Sequence, residues 1–250
     1  MRTAGIDIGS RTVKLVIREA EELIHSEVRE NSFNTLEVCN GLINGHSYDR
    51  ITATGYGRHL FAEKHGVPAI SEIKAFALGI HSMYPGVRTI LDIGGQDTKA
   101  ISIDDKGNLM KFEMNDKCAA GTGRFFEIMA MALRYSLEEL GSEALAAEGS
   151  ISLNSMCTVF AESEVISVLA KGADRRDVAR GIHQSVVRRA MTMLRRVGIR
   201  DDVAFVGGVA RNAAVREMLG RELRRKLVVP ENPQIVGALG CALASHGQAR

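Results

Sequence analysis

Two short segments of the sequence carry an aspartate, a glycine and a lysine at the same spacing. The first is Asp7-Ile8-Gly9-Ser10-Arg11-Thr12-Val13-Lys14, and the second, 85 residues later, is Asp92-Ile93-Gly94-Gly95-Gln96-Asp97-Thr98-Lys99. A carboxylate at the end of a strand can hold Mg²⁺ through water, and the glycine after it lets backbone N–H groups approach phosphate oxygens. The pair therefore predicts a magnesium–nucleotide site whose phosphates are held from two sides.

Particular positions in these two turns have expected roles. Asp7 and Asp92 are the predicted Mg²⁺–water contacts, and either Gln96 or Asp97 is expected to orient the attacking water. The remaining phosphate contacts are predicted to come from Gly9, Ser10, Thr12 and Lys14 on one side and from Gly94, Gly95 and Gln96 on the other. Lys99 fits an ordinary exposed strand residue as well as it fits a phosphate contact.

A third glycine loop, Gly207-Gly208-Val209-Ala210, separates a short apolar strand from a helix. As the third member of an ordered set, it is predicted to border the nucleoside together with Asn212 and Gly237. Neither Gly-x-x-x-x-Gly-Lys-Ser/Thr nor Gly-x-Gly-x-x-Gly follows a strand in this sequence. The pattern therefore argues against P-loop and Rossmann folds.

The chain has four cysteines, of which Cys118 and Cys157 each precede a predicted helix. The partial positive charge of a helix N-terminus stabilises a thiolate or an anionic cluster. Because a 4Fe–4S cluster normally takes four cysteine ligands, two chains together would supply a full set. The sequence thus favours one cluster shared across a symmetric dimer, with a four-thiolate zinc site as the alternative. Cys39 and Cys241 are interpreted as buried, inert side chains.

The elements that would position these residues repeat along the chain. Strands are predicted over 4–8, 13–18 and 23–29 as an antiparallel meander, followed by a strand at 51–53 that ends at Gly55-Tyr56-Gly57. After Pro85-Gly86 the pattern returns, with strands over 89–93, 100–103, 109–114, 204–206 and 227–229. Helices are predicted over 36–43, 71–83, 125–134, 160–170, 174–197, 211–223 and 235–245. This organisation predicts an α/β fold of two duplicated domains, residues 1–86 and 87–250. The closing helix, 235–246, is a candidate to pack back on the first domain.

Composition limits the classes of protein that need to be considered. The 250 residues are 45% hydrophobic and 25% charged with a net charge of +2, which is ordinary for a globular protein and gives no reason to expect nucleic acid or an anionic membrane as partner. No apolar stretch is long enough to span a bilayer, and the N-terminus lacks the pattern of a signal peptide. A cytoplasmic location without structural disulfides is therefore expected.

The three loops together resemble the actin/hexokinase/heat-shock ATPase superfamily, with two phosphate loops and an adenosine loop. Within it, the chain resembles the ATPase activators of 2-hydroxyacyl-CoA dehydratases and the ATP-binding subunits of benzoyl-CoA reductases, the BadF/BadG/BcrA/BcrD type. The resemblance covers nearly the whole chain. Its most specific stretches are 92–97, 115–124 and 157–165, with 233–240 similar to the family's closing segment.

This resemblance implies duplicated actin-like (ribonuclease H-like) domains with a nucleotide cleft between them. It further implies ATP/ADP, Mg²⁺ and one 4Fe–4S cluster per homodimer on Cys118 and Cys157. A ferredoxin or flavodoxin would supply electrons, and ATP hydrolysis would drive them singly to a dehydratase or reductase component. The alternatives are a small-molecule kinase of the same superfamily, which leaves the two cysteines unexplained, and a non-redox actin-like nucleotide switch.

Overall fold

The computed structural model describes residues 1–153 and 157–247. The chain begins with three antiparallel strands, β1 (Arg2–Ile8), β2 (Thr12–Glu19) and β3 (Glu22–Glu30), joined by tight turns. A fourth strand, β4 (Arg50–Thr54), pairs in parallel with β1, so the sheet has the order β3-β2-β1-β4. Strand β1 is buried over Thr3–Ile8, as expected of a central strand, whereas the edge strand β3 is at most half-buried. The predicted meander is thus confirmed.

The second sheet repeats this order of strands. It contains β5 (Thr89–Ile93), β6 (Thr98–Ile103), β7 (Leu109–Asn115), β8 (Val203–Val206) and β9 (Leu227–Val228) in the order β7-β6-β5-β8-β9. In the first sheet, β1 lies between β2 and the later strand β4. In the second sheet, β5 lies in the same way between β6 and the later strand β8. The predicted duplication is therefore present in the topology.

Helices connect and cover the strands. Their bounds are α1 (Thr35–Ile43), α2 (Arg58–His65), α3 (Glu72–Met83), α4 (Gly123–Leu133), α5 (Leu137–Ala146), α6 (Thr158–Ala170), α7 (Arg175–Val197), α8 (Ala213–Leu223) and α9 (Val236–Gly247), with a 3₁₀ turn at Gly208–Arg211. Helices α2 and α5 were not predicted from the sequence. For α5 the signal was a capping box, because the Ser136 hydroxyl accepts from Glu139 N–H while the Glu139 carboxylate accepts from Ser136 N–H.

The chain forms two compact units. The first contains Met1–Ile90, Ile101–Phe112 and the described residues from Pro230 onward, and the second contains Leu91–Ala100 and the described part of 113–229. This division differs from a single boundary after residue 86, since a middle segment and the chain's end join the first unit. None of the helices in the described residues is both long enough and apolar enough to cross a membrane.

Helix α9 packs in the first unit against β1, β4 and α3. Glycines make this close approach possible. A Cβ on Gly5 would lie 2.0 Å from the Ala238 carbonyl oxygen, and one on Gly240 would lie 1.8 Å from that of Ala75. Both distances are far below van der Waals contact, so these positions accept only glycine without movement of the backbone. The packing brings the first turn of α9 beside the end of β1.

Candidate functional site

The first predicted phosphate turn joins β1 to β2. Its backbone is closed by a hydrogen bond from Gly9 N–H to the Thr12 carbonyl oxygen, at 3.0 Å. Asp7 and Lys14 face each other in the strand register, and Lys14 Nζ lies 3.1 Å from Asp7 Oδ2. Asp7 is buried, whereas Gly9, Ser10, Thr12 and Lys14 are half-buried, so the turn offers its backbone and a cation at a partly open surface.

The second predicted turn, between β5 and β6, has the same construction. Gly94 N–H donates to the Asp97 carbonyl oxygen at 2.9 Å. Lys99 Nζ lies 3.2 Å from Asp92 Oδ2 and 2.7 Å from Asp97 Oδ2. The interpretation of Lys99 as an exposed strand residue was wrong, because its side chain is only 2% exposed. A buried ammonium group requires such carboxylate partners, and both come from within seven residues of it.

Glycines from later segments lie against the two aspartates. Gly207 has a left-handed backbone with φ of +85°, and a Cβ there would lie 2.3 Å from Asp92 Oδ1. A Cβ on Gly237, in the first turn of α9, would lie 3.1 Å from Asp7 Oδ2. Gly207 and Gly237, both predicted to border the nucleoside, are thus placed beside the carboxylates that are the predicted Mg²⁺ contacts. Gly208 is exposed in the same loop as Gly207.

A fourth glycine loop was missed as a candidate. Gly55 follows β4 with φ of +90°, and a Cβ there would lie 2.5 Å from the Ile8 carbonyl oxygen, just as one on Gly207 would lie 2.5 Å from that of Ile93. Gly57 N–H also donates to the Ile8 carbonyl oxygen at 2.9 Å. The signal was present in the sequence, because both loops follow the fourth strand of a repeat and contain paired or nearly paired glycines.

Asn212 is held by internal hydrogen bonds at the start of α8. Its Oδ1 accepts from Val215 N–H at 3.1 Å, and its Nδ2 lies 3.0 Å from His183 Nε2. His183 is fully buried on α7, with Nδ1 placed 2.7 Å from the Ala179 carbonyl oxygen, and burial lowers the pKa of His183 to about 4. The neutral ring therefore donates from Nδ1 and accepts from Asn212 at Nε2. His183 was not predicted, although a lone histidine within the buried face of α7 marks it.

The second turn is hydrogen-bonded to residues 116–124, which carry Cys118 and are called the Cys118 segment below. Gly94 and Gly95 carbonyl oxygens accept from the N–H groups of Gly123 and Arg124, each at 2.8 Å. The hydroxyl of Thr98, which follows the turn, donates to the Gly121 carbonyl oxygen at 2.8 Å, and this bond is buried. These three bonds join the second turn to the first turn of α4 and to Gly121, which lies three residues after Cys118.

Cys118 and Cys157 are both exposed and are not in a disulfide. Cys157 is the N-cap residue of α6, as predicted. Cys118 was wrongly placed at a helix N-terminus, because α4 begins only at Gly123 and is capped by Thr122. It lies instead in a turn fixed by Asn115, whose Oδ1 accepts from Cys118 N–H at 3.3 Å and whose Nδ2 donates to the Cys118 carbonyl oxygen at 2.8 Å.

The other two thiols are buried. Burial raises the pKa of Cys39 to about 11 and raises that of Cys241 well above its usual value. Their interpretation as buried cysteines is confirmed, so Cys118 and Cys157 are the two thiols of the chain that are open to a metal centre. Beside Cys157, the side chains of Val159 and Phe160 are 67% and 68% exposed, which is unusual for residues of this size.

Comparison with known proteins places these features in a family. The model of the BadF/BadG/BcrA/BcrD ATPase family matches residues 4–245. The 2-hydroxyisocaproyl-CoA dehydratase activator of Clostridioides difficile is 40% identical, with 100% of this chain and 97% of the activator aligned.

Two solved structures are similar to this chain over its full length. Component A of the (R)-2-hydroxyglutaryl-CoA dehydratase of Acidaminococcus fermentans matches with a TM-score of 0.92 at 37% identity, covering 100% of this chain and 99% of that one. The activator of the C. difficile 2-hydroxyisocaproyl-CoA dehydratase, with bound ADPNP, matches with a TM-score of 0.90 at 40% identity, covering 100% and 96%. The chain thus has the actin-like ATPase fold and belongs to the BadF/BadG/BcrA/BcrD ATPase family.

Proposed function

We propose that this protein is an ATP-hydrolysing electron donor that activates a 2-hydroxyacyl-CoA dehydratase by single-electron transfer. The observation that carries the proposal is the hydrogen-bonded link between the second phosphate turn and the Cys118 segment. It gives a path by which the state of the nucleotide can reach a metal ligand. Relatives aligned over the full chain are named as activators of such dehydratases, which supplies the class of partner.

The nucleotide is ATP in this proposal, since a relative of the same fold binds the analogue ADPNP. Asp7 and Asp92 hold Mg²⁺ through water, while Lys14 and the backbone N–H groups of the two turns contact phosphate. Between Gln96 and Asp97, we assign the orientation of the attacking water to Gln96. Its side chain is exposed, whereas Asp97 Oδ2 lies 2.7 Å from Lys99.

The loop at Gly207 and Gly208 receives the nucleoside, with Asn212 acting as the residue that fixes the start of α8. Gly237 keeps the space beside Asp7 open, because any larger side chain would press on the carboxylate. Asn212 contributes through its position, since both ends of its amide are used within the fold.

The cysteines fit a 4Fe–4S cluster held between two copies of the chain. Each chain offers two exposed thiols, and a cluster of this type takes four thiolate ligands. When bound, such a cluster supplies a site that accepts and releases one electron. Cys157 occupies the N-cap of α6, where the positive end of the helix dipole favours negative charge. The exposed side chains of Val159 and Phe160 would become buried between the two copies and exclude water.

Purification without oxygen tests the proposal. Iron and acid-labile sulfide should each approach about two per chain, which is half of a four-iron cluster. The variants Cys118→Ser and Cys157→Ser should lose both, whereas Cys39→Ala should keep them, because Cys39 is buried away from solvent. Activity is measured as ATP-dependent activation of a 2-hydroxyacyl-CoA dehydratase with reduced ferredoxin or flavodoxin as electron source. A colourless wild-type protein with full ATPase activity would refute the electron-transfer role.

A further inference from the structure

A second group of metal-ligating side chains lies at the edge of the first sheet. His25 and Glu27 are two residues apart on β3, so their side chains project from the same face of the strand. His46 follows α1, and its ring centroid lies 4.2 Å from that of His25. The potential ligand atoms of His25, Glu27 and His46 all lie within 4.8 Å of one another, and each residue is half-buried. None of them belongs to the phosphate turns or the cysteine segments.

The fold brings the third residue to the other two. Helix α1 buries Cys39 and Leu42 and packs against β2 and β3. The chain then leaves the helix through Gly45, whose φ of +84° turns it back, and His46 N–H donates to the Ile43 carbonyl oxygen at 3.3 Å. The position of His46 is therefore set by the docked helix and the turn that follows it.

Glu27 has one carboxylate oxygen fixed and the other turned toward the histidines. Oε1 accepts from Arg29 Nε at 3.2 Å and from Arg29 Nη2 at 2.6 Å, while Oε2 lies 3.7 Å from His25 Nε2. Arg29 thus orients this carboxylate in the way that outer hydrogen bonds orient the ligands of metal sites.

His25 supplies the observation that points to a ligand. Its Nε2 is buried and has no hydrogen-bond partner within the part of the chain that the structure describes. The 3.7 Å to Glu27 Oε2 is too long for a hydrogen bond. A buried polar atom normally has a partner, because leaving it without one costs about 1–3 kcal/mol. A cation bound between the nitrogen and the carboxylate oxygen would supply that partner.

We propose that His25, Glu27 and His46 form a site for one divalent first-row transition metal of the Zn²⁺ type. Two imidazoles and a carboxylate suit such ions, whereas Mg²⁺ and Ca²⁺ prefer oxygen ligands alone. Donors about 2.1 Å from one tetrahedral ion lie about 3.4 Å apart, so small side-chain rotations bring the three atoms into range. The fourth position is left to water. The bound ion joins the edge strand β3 to the segment after α1 and so stabilises the first unit.

The test uses the protein without an affinity tag and with Cys118→Ser and Cys157→Ser as the parent, because exposed thiols also bind zinc. Mg²⁺ is present in excess to fill oxygen-rich sites, and Zn²⁺ affinity is measured by competition with a chromophoric chelator. We expect one zinc per chain, with binding weakened about 100-fold or more in His25→Gln and in His46→Gln. The matched control is His59→Gln, an exposed histidine on α2, which should bind zinc as the parent does.

Two further measurements keep the test decisive if a variant folds poorly. Co²⁺ bound to the parent should give the visible absorption bands of a nitrogen- and oxygen-ligated ion of low coordination number, and Glu27→Gln should change them. Zn²⁺ should raise the melting temperature of the parent in proportion to the logarithm of its concentration. Unchanged zinc affinity in both histidine variants, an equal loss in His59→Gln, or a parent spectrum identical to aqueous Co²⁺ would overturn the proposal.

Discussion

Acidification should destabilise the fold through His183, which is buried and neutral. Its pKa is about 4 in the folded chain against an ordinary value of 6.5, and the cause is desolvation by burial. Between these two values the unfolded chain binds a proton that the folded chain does not. The contribution of His183 to stability is therefore complete above pH 6.5 and falls as the pH drops toward 4. At pH 5 the loss is about 2 kcal/mol, and it approaches about 3 kcal/mol near pH 4.

The assay compares urea unfolding from pH 7.5 to 4.5 for the parent with Cys118→Ser and Cys157→Ser and for the same protein carrying His183→Gln. Glutamine can still accept from Asn212 but does not titrate, so the pH dependence due to every other group cancels in the difference. The parent should lose about 2 kcal/mol more than the His183→Gln variant between pH 7 and pH 5. An exposed control, His59→Gln, should behave like the parent. Parallel curves for parent and His183→Gln would refute the assignment of a buried, neutral ring.

Three further predictions follow from close contacts. Gly207→Ala should lower ATPase activity about 100-fold, because the new Cβ would lie 2.3 Å from Asp92 Oδ1 and displace that carboxylate. The control is Gly172→Ala, which also has a positive φ, of +88°, but has no described atom within 4 Å of the new Cβ. It should cost only about 1 kcal/mol of stability. Gly240→Ala should lower the free energy of unfolding in urea by about 2–3 kcal/mol, because its Cβ would lie 1.8 Å from a backbone carbonyl oxygen on α3. The control Gly220→Ala, on α8, should leave the stability unchanged or raise it slightly. Thr98→Val should cost about 1–2 kcal/mol, because it removes one of the three hydrogen bonds that join the second turn to the Cys118 segment. It should also raise the number of ATP molecules hydrolysed per electron delivered, and unchanged coupling would contradict a role for this bond.

The strands and the duplication could be predicted from the sequence because they depend on local apolar runs and on repeated residue types. The predicted bounds of β1, β2 and β3 differ from the observed ones by at most two residues at either end. Helix α5 was missed although its capping box was visible in the sequence. Helix α4 begins at Gly123, two residues before its predicted start, and Gly121, with φ of +92°, and the extended Thr122 separate it from Cys118.

Contacts between secondary-structure elements account for what the sequence did not reveal. The burial of Lys99 requires two carboxylates to converge on one ammonium group, and this depends on the pairing of β5 with β6. The bond between His183 and Asn212 joins residues 29 positions apart on different helices. The cluster of His25, Glu27 and His46 depends on how α1 docks on the sheet, which no local pattern encodes.

A redox titration of the anaerobically purified protein with Mg²⁺–ADP and with Mg²⁺–ADPNP tests the central claim most directly. The second phosphate turn is bonded to the Cys118 segment, so a change of nucleotide should change the surroundings of the ligated thiolates. The account predicts a one-electron centre whose midpoint potential differs between the two nucleotides and which is lost in Cys118→Ser. A centre with the same potential in both nucleotide states, or one that survives in Cys118→Ser, would contradict the account.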